Sequence, residues 1–356
     1  MRMIFKNKKI SSMLGILPEN EYLFDDEVEN YDFPAKQTMR LKKIMGFEKH
    51  RISKESSTSS DFAAFGLDYM LRNNWISKDE IGAVIVASLC PDHFVPHISN
   101  IVHGELSLPD DVLCIDIPQG CCGFILGLMQ SFMLLEHMKD KKIVLINADV
   151  LSHKVSKRDR NDFPLIGDGA AITVIENSDD NSEIFYEMHM DGSRRNALLI
   201  PAGGFRMPST SKTAEMENTG DGNYRSLDNM HMNGSDVFNF VQSEVPGLIE
   251  NILRTAKTDI DDIDYFLFHQ PNKFMLQKLA EKIGVPFEKL PMNLVEKYGN
   301  PSGASIPLVT IDNLSEQMKQ ETFKCCLSAF GSGLAWGAVV MNMGGMEHCE
   351  MIVSDL

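Results

Sequence analysis

Three residues stand where the surrounding pattern could put them to chemical use. Cys121 lies in DIPQGCCGFILGLMQSFMLL (116–135), which reads as a strand and tight turn leading into a helix apolar nearly all round. Such a helix must be buried. A cysteine at its first turn sits against unsatisfied backbone N–H groups and the positive dipole end, which favour thiolate over thiol and make a nucleophile. The competing reading is a small buried hydrophobe, the usual fate of free cysteine. That reading fits Cys122; for Cys121 taken alone, both stand. His269 ends the apolar run YFLFHQPN (265–272), where Pro271 stops the ladder and the ring points into the cleft beyond the strand ends. There it can act as acid, base or hydrogen-bond donor near neutral pH, or be structural. Asn300 lies in YGNPSGASIP (298–307), a glycine-rich turn into a helix packed with small residues, where a helix cap is the commonest job for Asn. In AFGSGLAWGAVVM (329–341) a glycine-rich turn joins two strands and presents backbone N–H groups, which with the N–H of Cys121 could form an oxyanion hole. A dinucleotide site is a poor reading of these glycines, because they open into a strand where such a site needs a helix.

The elements that must position these residues follow from hydrophobic period. Runs at 81–88, 112–117, 142–148 and 170–176 read as strands of a first half, and runs at 263–269, 323–330 and 334–342 as strands of a second. Each half repeats one order: strand, helix, short extended piece, a helix opening with small residues, strand. From Ala83 through Cys121 to Asp149, and from Asp264 through Asn300 to Ala329, this suggests duplication. The polar stretch ENSDDNSE (176–183) marks the boundary, giving halves 1–178 and 179–356. The segment 194–229, rich in Gly, Ser, Asn and Thr, reads either as a lid or binding loop or as a disordered insertion.

Composition narrows the class. The chain has 356 residues, 43% hydrophobic and 24% charged, enough for a soluble protein with two cores. A formal net charge of -16 argues against general nucleic-acid binding, which needs a basic footprint. The cysteines form no CxxC pair and no apolar leader is evident, so a reducing cytoplasm is expected. No apolar run reaches the length of a membrane span. The pairs Cys121-Cys122 and Cys325-Cys326 lack ligands at zinc spacing, so no metal is expected.

Taken in order, QGCCGF, GDGAA (167–171), MNGSDVF (232–238), FHQPN, GNPSGASIP and FGSGLAWG resemble the signature of the β-ketoacyl-acyl-carrier-protein synthase III family, over nearly the whole chain. The resemblance implies an α/β, thiolase-like, five-layer αβαβα fold of two duplicated halves. It also implies a homodimer and no tightly bound cofactor, with acyl-coenzyme A or acyl-carrier-protein thioesters as substrates. By motif, Cys121 is the acyl-accepting nucleophile, His269 and Asn300 hold the thioester carbonyl of a malonyl partner, and the N–H groups of Cys121 and Ser332 form the oxyanion hole. Loss of carbon dioxide from the malonyl group then gives an enolate that attacks the acyl-cysteine.

Departures bear on the substrate. The stretch RLKKIMGFEKHR (40–51) has no aromatic residue before Phe47, so the family's adenine contact is expected to be lost. His153 stands where a second arginine is usual. Val95 replaces a bulky phenylalanine that reaches into the neighbouring subunit's acyl pocket, which suggests more room and a primer other than acetyl. An acidic carrier protein needs a basic docking face: Arg40, Lys42, Lys43, Lys49 and Arg51 are candidates, as are Lys157, Arg158 and Arg160, with solvated surface as the alternative. Lys273 lies one position from a basic residue of the family. Rival readings are acyl transfer to an alcohol or amine without decarboxylation, and a non-catalytic partner subunit. Hydroxymethylglutaryl-CoA synthase would need a glutamate base that has no evident counterpart. The altered primer stretch points away from ordinary fatty-acid initiation toward a dedicated pathway, such as secondary metabolism or decoration of a surface sugar.

Overall fold

The computed structural model describes residues 1–220 and 222–356. Two mixed sheets organise them. The first, six-stranded, has the order 348–354, 8–18, 169–177, 142–149, 81–87, 113–117; the second, five-stranded, has the order 2–6, 183–190, 335–344, 322–331, 265–268. All seven strand runs read from hydrophobic period are present, with ends moved by a few residues at most.

Strand pairing carries the duplication. In the first sheet Lys142–Asp149 runs parallel to Ile81–Ala87 and antiparallel to Gly169–Asn177, which pairs antiparallel with Lys8–Pro18. In the second, Thr322–Gly331 runs parallel to Tyr265–Phe268 and antiparallel to Ala335–Gly344, which pairs antiparallel with Glu183–Met190. The terminal strands cross between sheets. Arg2–Lys6 pairs with Glu183–Met190 and His348–Ser354 pairs with Lys8–Pro18, so each sheet takes a strand from both 1–178 and 179–356.

Alternation along the strands sets the layers. On Ile81–Ala87, Val84 and Val86 face an outer core with Phe62, Leu67 and Val102 of the helices Ser59–Arg72 and Ile98–Glu105. Ala83 and Ile85 face the central core. There the helix Gly123–Leu135 contributes Phe124, Ile125, Leu128 and Phe132, and the helix Ser305–Gln320 contributes Ile306, Ile311 and Leu314, against Leu327 and Val339 of the second sheet. Each such large side chain stabilises the fold by about 1.5–3 kcal/mol when buried. The other face of the second sheet, with Phe266, Phe268, Cys326 and Val340, packs on the helices Gly234–Ala256 and Lys273–Ile283. The layers therefore run α, β, α, β, α, with Cys325 in the central core and Cys326 in the outer one. No helix among the described residues is long and apolar enough to cross a membrane.

Both central helices begin at the same level, where the halves meet. Gly120, just before Cys121, and Gly303, just after Ser302, pack against each other: a side-chain carbon on Gly303 would come within 2.9 Å of the Gly120 carbonyl oxygen. The segment 194–229, of which only Asp221 lies outside the described residues, folds over this junction through two short strand pairs, Leu198–Leu199 with His231–Met232 and Glu217–Asn218 with Tyr224–Arg225.

Candidate active site

A cavity of about 1230 Å³ opens over the junction, and Cys121, His269, Asn300 and Ser332 all line it. His269, Asn300 and Ser332 lie 148, 179 and 211 positions beyond Cys121 in the chain, yet all share one wall with it because both central helices start there.

Cys121 sits one turn earlier than its motif suggests. The helix begins at Gly123, so Cys121 occupies the turn ahead of it, closed by Gly123 N–H donating to the Gly120 carbonyl at 2.5 Å. Its sulfur faces the cavity while protein encloses it elsewhere. Gly331 makes this enclosure possible, since a side-chain carbon there would lie 2.5 Å from Cys121 Cβ. The expected thiolate is not the resting state. Burial, reinforced by the Asp149 carboxylate, pushes the thiol up to about 11; the backbone N–H groups of Ser332 and Cys121 and the Ser302 hydroxyl act in the opposite direction. Desolvation outweighs the helix start. Cys122 is fully buried, its thiol donating to the Ala335 carbonyl at 3.4 Å.

His269 follows the strand Tyr265–Phe268 and is 2% exposed. Burial pulls it down to about 3, so the ring is neutral across the physiological range. Its Nδ1 lies 2.7 Å from Ser305 Oγ, which also accepts from Gln270 N–H at 3.4 Å. A backbone hydrogen bond with Ser302 favours a proton on the ring; with that proton on Nε2, Nδ1 accepts from the Ser305 hydroxyl. Asn300 is not a helix cap, because the short helix Ser302–Ala304 starts from Pro301 without a side-chain cap; it faces the cavity. Its Oδ1 accepts from Ser302 N–H at 3.0 Å, fixing the amide and leaving its NH₂ free to donate. Ser332 is clamped by Gln119: its hydroxyl donates to Oε1 at 3.1 Å while Nε2 donates to its carbonyl at 3.3 Å.

Other expectations are revised. Val95 is 76% exposed and does not reach the cavity of the single chain. His153 lies beside Ser53 at 3.3 Å, away from the cavity wall. Of the basic docking candidates, Lys42 is held by Asp25 and Glu48, Lys49 and Arg51 by Glu21, and Lys273 by Glu296. Arg158 lies over the Tyr224 ring, and exposed Lys157 makes only a long contact, 3.9 Å, to Glu55. Arg160 is a wall residue rather than surface: it is 9% exposed and lines the cavity, its guanidinium 3.5 Å from the Phe33 ring centre. An aromatic residue paired with an arginine is therefore present, supplied from outside the stretch 40–51. Arg40 and Lys43 are exposed, on the outer face of the helix Ala35–Met45, whose Leu41 and Met45 line the cavity.

Sequence reasoning missed Asp149, Ser302 and Arg225. Asp149 had a signal, a carboxylate ending the apolar strand KIVLINAD. Arg225, which bonds Asp159 and lies 3.5 Å from Asp162 in the cavity wall, had none, because its partners are 66 and 63 residues away. Burial and neighbouring Asp159 raise Asp162 well above the usual carboxylate range, with Arg225 pulling it back.

Fold and site together define a thiolase-like acyltransferase. Residues 115–192 match the profile of 3-oxoacyl-[acyl-carrier-protein] synthase III, and residues 253–343 that of its C-terminal part. A Campylobacter jejuni protein provisionally named 3-oxoacyl-[acyl-carrier-protein] synthase 3 is 33% identical over 99% of both chains. The Lactococcus lactis β-ketoacyl-[acyl-carrier-protein] synthase III is 31% identical over 94% of this chain and 99% of its own. The crystal structure of a Burkholderia xenovorans 3-oxoacyl-(acyl-carrier protein) synthase superposes with a TM-score of 0.92 at 29% identity, over 99% of both chains. The chain belongs to the 3-oxoacyl-[acyl-carrier-protein] synthase III family.

Proposed function

We propose that the protein is a condensing enzyme that moves an acyl group from a thioester onto Cys121 and then joins it to a malonyl thioester with loss of carbon dioxide. The observation that carries this reading is the meeting of the Cys121 thiol, the neutral His269 ring and the free Asn300 amide on one cavity wall. The N–H groups of Cys121 and Ser332, which already face the sulfur, would hold the acyl carbonyl oxygen. As the malonyl carboxylate departs, negative charge grows on the thioester oxygen. Two uncharged donors, His269 Nε2–H and the Asn300 amide, suit it, each worth about 3 kcal/mol by analogy with oxyanion donors. The enolate carbon attacks the acyl carbonyl, and Cys121 leaves as thiolate. A histidine held at about 3 is a weak base, which disfavours transfer to an alcohol or amine through His269.

The cavity size and its Leu151, Leu198, Ile200, Met230 and Phe238 surfaces support a primer longer than acetyl. The donor arm is carried by an acyl carrier protein or coenzyme A. The Arg160–Phe33 stack supports the carrier, since a nucleobase could enter between the two only by parting them. Arg40 and Lys43 supply the basic docking contacts. A second copy pairs along the open edge of Leu113–Ile117, beside exposed Phe94, Val95 and Phe205, and brings Val95 to its neighbour's cavity.

Intact mass spectrometry of wild type and Cys121→Ala, incubated with acyl donors of several lengths and then with malonyl carrier, tests the reading. An adduct absent from the mutant and cleared with carbon dioxide release supports it. An adduct that malonyl cannot clear favours transfer to another acceptor; no adduct with any donor favours a non-catalytic subunit.

A further inference from the structure

Attack by Cys121 requires a proton acceptor, and the ring nearest in the family motif is poorly suited. A histidine held to about 3 hardly takes a proton from a thiol near 11. The reading above also needs that ring neutral and donating. A buried carboxylate also acts on the sulfur. Asp149, 1% exposed, ends the strand Lys142–Asp149; its Oδ1 accepts from Leu89 N–H at 2.7 Å and the Ser88 hydroxyl at 3.0 Å, and its Oδ2 faces Gly303 N–H at 3.4 Å. Ser302 adjoins both groups: it stands next to Gly303, whose N–H reaches Asp149, and against Gly120, the residue before Cys121. Its hydroxyl is buried, packs against Gly120 and makes no hydrogen bond of ordinary geometry in the resting protein. Yet it stands close enough to both groups to lower the pKa of each. The backbone is bent to put it there, since Ser302 has φ +51°, a conformation that serine rarely adopts. A strained residue holding an unpartnered hydroxyl near both a nucleophile and a carboxylate fits a relay, and catalytic hydrogen bonds are often long before substrate enters.

We propose that Asp149, acting through the Ser302 hydroxyl, takes the proton of Cys121 when the thiol attacks. The proposal extends the condensing reading by supplying its first proton transfer. The Cys121 S–H proton passes to Ser302 Oγ as the Ser302 proton passes to the Asp149 carboxylate. The new sulfur–acyl bond forms and the donor carbon–sulfur bond breaks. The departing thiolate takes a proton back along the same path, restoring Asp149 as carboxylate. Burial raises Asp149 to about 6, opposed by its donors Leu89, Ser88 and Gly303 and by the nearby Ser302 hydroxyl, so it is mostly ionised at neutral pH yet more basic than an ordinary carboxylate. The other titratable group facing it is Cys90, a buried thiol that Asp149 itself pushes upward and that does not line the cavity.

Alkylation of Cys121 by iodoacetamide, read by peptide mass spectrometry across pH, tests the relay without any acyl substrate. In wild type the rate should rise through about pH 6, as Asp149 ionises, and then level off. In Asp149→Asn it should fall roughly a hundredfold at neutral pH and climb about tenfold per pH unit, as for an unassisted thiol. Ser302→Gly removes the hydroxyl, suits the positive φ and keeps the N–H that holds Asn300, so it gives the same reading should loss of the buried carboxylate disturb folding. A folded Ser302→Gly or Asp149→Asn protein that keeps the wild-type profile within about twofold overturns the relay. If wild type alkylates by the relay profile yet takes no acyl group from any thioester, the condensing reading fails while the relay stands.

Discussion

The floor and the mouth of the cavity are built on opposite principles. At the floor two halves of the chain meet through backbone: Gly120 lies against Gly303 and Gly331 against Cys121, with spacings that admit no side chain. Few charges survive there. Cys121 is driven up to about 11, Asp149 up to about 6 and His269 down to about 3, all chiefly by burial. The mouth, roofed by 198–232, is held by side chains instead: Arg225 with Asp159 and Asp162, Arg160 on Phe33, Arg158 on Tyr224. A floor of main chain leaves no room for added side chains and so resists substitution. A mouth of ion pairs and cation–π contacts can be rebuilt residue by residue. The chemistry we propose thus sits where the fold cannot vary, and the contacts of the mouth sit where they can.

The largest expected effect probes the floor. His269→Ala and Asn300→Ala should each slow malonyl decarboxylation by roughly 10²–10³, the loss of one preformed oxyanion donor, while acylation of Cys121 changes far less. Carbon dioxide release and adduct formation, measured separately, check this. Equal losses in both steps would mean that these residues hold the floor together rather than stabilise one charge.

A middle-sized effect divides floor from mouth. Arg225→Ala leaves Asp159 and Asp162 buried without their guanidinium, and breaking such a pair costs about 3 kcal/mol. Proteolysis within 198–232 should accelerate and the thermal midpoint fall, while the pH profile of Cys121 alkylation stays put. Reactivity at Cys121 falling in step with the loop would break the division. The smallest effect lies outside the cavity. Arg40→Glu combined with Lys43→Glu should raise KM several-fold for a carrier-borne acyl group, leave kcat near wild type, and spare a short acyl thioester lacking the carrier. An unchanged KM would remove the helix Ala35–Met45 from docking.

Legibility in the sequence followed the same division. Strands were readable because buried parallel strands are apolar runs, and the helix after Cys121 because it is apolar nearly all round. Cys121, His269 and Asn300 each end or precede such an element, so their places were readable too. The ionisation of Cys121 was misjudged, because a helix start is a local feature whereas desolvation depends on what the second half lays over it. Arg160 read as surface because its neighbours 157 and 158 are basic; only the fold brings Phe33 beneath it.

Residue order by itself determined the elements, their duplication and the places of Cys121, His269 and Asn300 at the ends of those elements, since each is marked by local pattern. Tertiary structure alone decided the protonation states, the Asp149–Ser302 approach to the thiol, and the closing of the mouth by Arg225. These depend on distance and burial between segments far apart in the chain, and hydrophobic period carries no record of either.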